Sequence, residues 1–297
     1  VLPKRGIVAA PDEILITLGS QNALYLLTRL LLSSTTRIGV ENPCFREAIN
    51  TFLLADAEVV PHPVDEEGIV LNERPCDYYY VTPGHQVPTG VTMSSARRRQ
   101  LLEHAARHDA VIIEDDYDSE SNFTLNPLPA LKASDRSGRV VYVSSLSKAL
   151  SPGLRLGFMV ADPDLIDEAR ALRRLVYRHP PTNIQYQMAH FLAQGHYETH
   201  LRRYHYDSAQ RWERLHAALQ RYLPSCRALA GSEHANAFWL QTPAQINTQQ
   251  LTWRAAHAGV LIEPGARHFL SAAPPDNYFR MGFHAINPDA IAQGVEV

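Results

Sequence analysis

Val140 to Gly157 reads VVYVSSLSKALSPGLRLG, and this stretch decides the fold. A β-branched run, Val140, Val141 and Val143, gives way to a loop of small hydroxyls carrying one lysine, Lys148. Pro152, Gly153 and Arg155 follow, and a second apolar run continues to Val160. Strand, loop, strand delivers the lysine to the end of a sheet, facing a pocket. Ser144, Ser145 and Ser147 supply hydroxyls and Arg155 a fixed cation, a set suited to a phosphate. A lysine beside a phosphate site fits a Schiff base to pyridoxal phosphate. The same residues also read as a surface loop with a solvated lysine, and this stretch alone leaves both readings open.

The chain around it has 297 residues, 45% hydrophobic and 20% charged, enough for one large domain plus a smaller one. A net charge of −3 gives no general pull towards nucleic acid or an anionic membrane. Cys44, Cys76 and Cys226 are odd in number and far apart. They argue against a disulfide framework and fit a reducing cytoplasm, and no metal site is expected. No apolar run approaches a membrane span and no signal peptide is visible. The chain begins at Val1, so a piece of a longer protein is expected.

Upstream of the lysine, strands and helices alternate. Glu13 to Thr17 is a short strand, and Gly19-Ser20-Gln21 opens an amphipathic helix from Asn22 to about Leu32. Backbone N–H groups at such a helix start face an anion. Arg37 to Glu41, Ala57 to Pro61 and Tyr78 to Thr82 read as strands, with a helix from Arg46 to about Ala55. PGHQVPTG, Pro83 to Gly90, is excluded from regular structure. Ser94 or Ser95 caps a helix to about His108, whose Arg97-Arg98-Arg99 run reads as a solvated face. Ala110 to Glu114 is a fully buried strand running into Asp115-Asp116-Tyr117-Asp118. Open α/β sheets bind ligands at that end of a strand. The alternation predicts an α/β fold with a mainly parallel sheet covered on both faces. From Pro163 a long helical stretch, broken at His179-Pro180-Pro181, runs to about Tyr222. Ala237 to Gln241, Gly259 to Glu263 and Tyr278 to Phe283 then make a small α+β unit. The expected division is 1–165 and 166–297.

Strand–GSQ–helix, ENPCF, TPGHQVPTG, IIEDDYDSE, SSLSKALSPGLRLG and FRMGF occur in that order. Together they resemble fold-type I pyridoxal-phosphate enzymes, the class I aminotransferases. The resemblance is closer to the aminotransferase-like domain of MocR-type regulators in the GntR family, from about Glu13 to about Asn287. It implies pyridoxal 5′-phosphate as cofactor, with Lys148 as the internal-aldimine lysine and proton shuttle. It makes Asp115 the partner of the pyridinium nitrogen and Tyr117 the donor to the phenolic oxygen. Ser20, Gln21, Ser145 and Arg155 become the phosphate cradle, Phe45 the aromatic stacked on the ring, and His85 a further cofactor-binding residue. Arg280 becomes the grip on a carboxylate. Arg267 and His268, in PGARHF, either line the same pocket or sit in an exposed loop.

Three departures qualify the resemblance. Val87 stands where class I aminotransferases usually carry Asn before Pro-Thr-Gly, which suits the MocR-like domain better. The winged helix-turn-helix that precedes that domain in the family is not in this sequence. The early segment that usually lends a tyrosine to the neighbouring subunit's phosphate site is expected to be missing or cut short. The expectation is therefore an effector-sensing domain that forms an external aldimine with an amino compound and reaches DNA only through an upstream segment. The alternative is a free-standing aminotransferase acting on an amino acid and a 2-oxo acid, and slow or half-reaction turnover is compatible with either. A cytoplasmic homodimer is expected by analogy with the family.

Overall fold

The computed structural model describes residues 1–72, 74–120, 128–229 and 237–297. Among them, the larger of two sheets has eight strands. These are β1 (Ile14–Thr17), β2 (Arg37–Asn42), β3 (Glu58–Asp65), β4 (Gly68–Ile69), β5 (Tyr78–Val81), β6 (Val111–Asp116), β7 (Val140–Ser145) and β8 (Gly157–Val160). Their spatial order is β1-β8-β7-β6-β5-β2-β3-β4. β2, β3, β5, β6 and β7 run parallel, while β8 is antiparallel to both β7 and β1. β1 therefore points the same way as the parallel strands, and Thr17, Asn42, Val81, Asp116 and Ser145 finish on one edge.

The helices are α1 (Ser20–Leu31), α2 (Arg46–Leu53), α3 (Ser95–Arg107), α4 (Ser147–Leu150), α5 (Pro163–Val176), α6 (Thr182–Ala193), α7 (His196–Tyr222), α8 (Thr248–His257) and α9 (Ile291–Glu296). Alternate strand residues face opposite cores, which is why the strands read as continuous apolar runs. Ile113 and Val143 pack with Leu24 and Leu27 of α1 and Ile49 and Phe52 of α2. Ile112 and Val140 pack with Leu101 and Ala105 of α3 on the other face. α5 adds Ile166 and Ala169 to the first core, so the helix that straddles the expected 165/166 division lies on the large sheet. The second sheet, β9 (Arg227–Ala228), β10 (Ala237–Gln241), β11 (Glu263–Pro264) and β12 (Tyr278–Gly282), is antiparallel in the order β11-β12-β10-β9. Its Phe238, Leu240 and Phe279 pack on Leu215 and Leu219 of α7 and Ile291 of α9.

Several expectations change. Lys148 sits in the short helix α4, not in an open loop. The expected strand over Gly259–Glu263 shrinks to Glu263–Pro264: Ile262 packs on the small-sheet core, but Leu261 is 87% exposed and the segment before Glu263 pairs with no strand among the described residues. The long helical stretch breaks a second time at Gly195, whose φ of 72° terminates the hydrogen-bond ladder. Arg98 is buried and does not share a solvated face. It donates to the carbonyls of Pro83, Met93 and Pro129, while Arg97 pairs with Asp65. The Arg98 guanidinium thereby ties three loop carbonyls to α3.

The two sheets are tied where β2 ends. Cys44 N donates to His268 O at 2.9 Å, the His268 ring meets Cys44 O at 2.9 Å, and Leu270 N donates to the Asn42 side chain at 2.9 Å.

At the site edge, β8 and the start of α1 meet backbone to backbone. A Cβ at Gly157 would lie 2.6 Å from the carbonyl carbon of Gly19 and 2.8 Å from Ser144 O. Gly157→Ala is expected to lower the urea midpoint by an amount equivalent to about 1–3 kcal/mol, the usual penalty of overpacking. An unchanged midpoint would show that the two segments separate freely.

Candidate active site

The carboxyl ends of the parallel strands open into a cavity of about 450 Å³. A wider depression of about 660 Å³ runs along α3, lined by Arg99, Glu103 and Asp135, away from the strand ends.

One end of the cavity is built for an anion. Ser20 and Gln21 open α1, a twelve-residue helix whose first N–H groups lack intrahelical acceptors. Gly19, at φ 81°, leads into it, and a Cβ there would lie 3.2 Å from Arg155 Nη2. Glycine therefore lets the guanidinium approach bare backbone. Arg155 donates to Leu18 O at 3.3 Å and holds a left-handed backbone at φ 46°. That conformation is uncommon outside glycine and tends to gather at ligand sites. Ser145 Oγ accepts from Ser147 N at 3.2 Å, and Gln21 donates to Thr51 at 2.8 Å.

The middle is built for a ring. Phe45, half-buried, and Val87 line it. Asp115, 3% exposed, accepts from the Tyr80 hydroxyl through Oδ2 at 2.8 Å. Its Oδ1 has no hydrogen-bond partner among the described residues. Burial pushes the Asp115 carboxyl up to about 7. A buried acceptor lacking a donor, on the wall of a cavity, suits a ring N–H cation.

Lys148 projects between these features. Its Nζ lies 3.2 Å from Asp118 Oδ1 and 4.3 Å above the centre of the Tyr117 ring. Burial lowers its pKa, Asp118 opposes the shift, and Arg280 reinforces it. Asp118 also accepts from His85 Nδ1 at 3.1 Å. His85 is thus placed behind Asp118, outside the wall of the main cavity, where it supports the carboxylate that holds the lysine. Burial raises the Tyr117 phenol well above its ordinary value.

The far wall carries the charged grip. Arg280 Nη1 meets Glu263 Oε2 at 3.3 Å. Arg267 spans Glu263 and Glu47, each at 3.4 Å. The alternatives for PGARHF resolve towards the pocket, since Arg267 and buried His268 both line it. His268 Nε2 lies 3.4 Å from Glu263, and that contact is the main reason the Glu263 carboxyl is held down at about 2. Glu263, Glu47, Tyr80 and the lysine-holding role of Asp118 were not read from the sequence. Asp118 alone carried a signal, its place in the acidic run.

The aminotransferase class I and II family model matches residues 4–266. HTH-type transcriptional regulator TauR of Rhodobacter capsulatus is 39% identical over 99% of this chain and 61% of its own length. The probable rhizopine catabolism regulatory protein MocR of Rhizobium meliloti is 34% identical over 98% of this chain and 59% of its own. The chain therefore spans about three-fifths of the length of these relatives. Among solved structures, the alpha-aminoadipate aminotransferase LysN of Thermus thermophilus, complexed with N-(5′-phosphopyridoxyl)-L-leucine, superposes with a TM-score of 0.91. It is 28% identical over 100% of this chain and 79% of its own. The architecture is that of the fold-type I aminotransferases.

Because the folded state holds Asp115 at about 7, above its unfolded value, ionising it opposes folding. The penalty grows as pH rises from the unfolded pKa to the folded one and is constant above. Asp115→Asn keeps an oxygen for Tyr80 and removes that penalty. In the cofactor-free chain it is expected to stabilise by roughly 2–3 kcal/mol more at about pH 8 than at about pH 5. Urea midpoints at the two pH values test this, and equal gains would place the carboxyl's titration outside that window.

Proposed function

Because the chain belongs to the aminotransferase class I and II family, we propose that it is the effector-sensing part of a MocR/GntR-type transcriptional regulator, holding pyridoxal phosphate at Lys148. The observation that carries the reading is the buried, half-satisfied Asp115 carboxylate in the same cavity as Lys148, whose Nζ lies 3.2 Å from Asp118, in a chain that matches such regulators almost from end to end. The cofactor, when bound, supplies an aldehyde that exchanges one amine for another and a ring that withdraws electrons.

The chain's residues divide the work. Ser20, Gln21, Ser145 and Arg155 bind the phosphate, Phe45 covers the ring, and Tyr117 orients its phenolic oxygen. Asp115 keeps the ring nitrogen protonated by supplying the missing countercharge. Lys148 is the site's own amine. Desolvation favours its neutral, nucleophilic form, and Asp118, steadied by His85, holds the proton-bearing form when the amine is released. Arg280 receives the effector's anionic group. The effector is an amino compound, and DNA contact belongs to the part of the related regulators that this chain does not match. Leu175 of α5 and Tyr186 of α6 are 86% and 66% exposed, apolar side chains that a second copy of the chain would cover.

A second reading, turnover as an aminotransferase, is favoured by the likeness to LysN. A visible spectrum with added cofactor separates the two. A shift with an amine that persists marks a sensor. Conversion to the pyridoxamine form, reversed by a keto acid, marks a transaminase. The cofactor band is expected to vanish in Lys148→Ala while the far-ultraviolet circular dichroism stays unchanged; a band that survives would sink the assignment. Arg280→Ala is expected to keep the band and to weaken the response to carboxylate-bearing amines at least tenfold, in line with losing a bidentate charged contact of about 1.5–3 kcal/mol. Equal loss of the cofactor would make Arg280 a structural residue.

A further inference from the structure

We propose that Glu263 is a specificity-determining residue that restricts the site to amino compounds carrying a single anionic group. The inference rests on the reading of the cavity as a cofactor and effector site and deepens it.

The far wall carries two arginines and two carboxylates in a chain that runs Arg280, Glu263, Arg267, Glu47. Glu263 Oε2 faces Arg280, and its Oε1 faces both Arg267 and His268. Arg267 is in turn shared with Glu47. Glu263 stays ionised throughout the neutral range, since its carboxyl is held at about 2.

A guanidinium offers five N–H donors, so Arg280 can engage Glu263 and still accept one further carboxylate. A second anionic group on the same ligand meets a cation whose charge two carboxylates already offset. The cation beside Arg280 is Arg267, and it already spans two carboxylates. His268 presents Nδ1 to Cys44 O, while its Nε2, 3.4 Å from Glu263, makes no hydrogen bond among the described residues. The second group would therefore meet Glu263 and Glu47 at close range. Like charges brought together in a partly buried site cost enough to lower affinity on the order of tenfold or more. Discrimination here comes from a repulsive element built into the wall, not from an added contact to the favoured ligand.

The test uses two pairs of ligands of equal shape that differ by one charge: L-glutamine against L-glutamate, and L-asparagine against L-aspartate. Each is titrated into the cofactor-loaded chain while the absorption band is followed. The wild type is expected to respond at least tenfold more tightly to the amide of at least one pair. In Glu263→Gln that ratio is expected to fall towards one, chiefly through tighter binding of the dicarboxylate. Glu263→Asp, which keeps the charge, is expected to retain the preference.

A second readout needs no cofactor. Labelling by phenylglyoxal, followed by peptide mass, is expected to modify Arg280 several-fold faster in Glu263→Gln than in the wild type. A wild type that binds acid and amide equally, a ratio unmoved in Glu263→Gln, or no response to any of the four ligands with an intact band would each overturn the inference. Loss of any Lys148-dependent band in the wild type would overturn the cofactor reading beneath it.

Discussion

Burying four carboxylates at the end of one strand is the constraint around which this protein is arranged. Glu114, Asp115, Asp116 and Asp118 are all under 5% exposed. A buried carboxylate needs partners, and each of these recruits a different part of the chain. Glu114 takes the backbone N–H groups of Leu131 and Lys132. Asp116 takes Arg5 and Tyr142, fastening the N-terminal segment beneath the sheet. Asp118 takes His85 and Lys148. Asp115 has Tyr80 on one oxygen, and its other oxygen lacks a partner among the described residues. The carboxylate left half-satisfied lines the cavity, so the chemistry of the site follows from how partners were distributed.

Much of this was legible in the sequence because it is local. The β-branched run before Lys148, the acidic run after Ile113 and the Gly-Ser-Gln helix start each state their geometry within a few residues, and the parallel topology brings their ends to one edge. What was not legible is pairwise and distant. Tyr80 and Asp115 are 35 positions apart, and Arg267 and Glu47 are 220 apart. Glu263 closes an apolar pentapeptide that has the pattern of a buried strand, and nothing in that pattern marks its carboxylate as part of the site.

The arginine run on α3 shows the same limit in another form. Helical periodicity puts Arg97, Arg98 and Arg99 at 100° intervals around the axis, so any one of them can fall on the face packed against the sheet. Which one, and that it would meet carbonyls instead of water, depends on the Pro83 and Pro129 loops that arrive from elsewhere. Composition shows the charge, and only the fold shows its environment.

The hydrogen bonds joining Cys44 to His268 and Asn42 to Leu270 have a mechanical consequence. Phe45 is the next residue after Cys44, and Arg267 immediately precedes His268. The aromatic wall and the charged wall are therefore clamped at a single residue's remove from each other. Neither can swing without dragging its opposite. A ligand that spreads Phe45 away from Arg267 therefore works against these three hydrogen bonds, which set the width of the cavity between them.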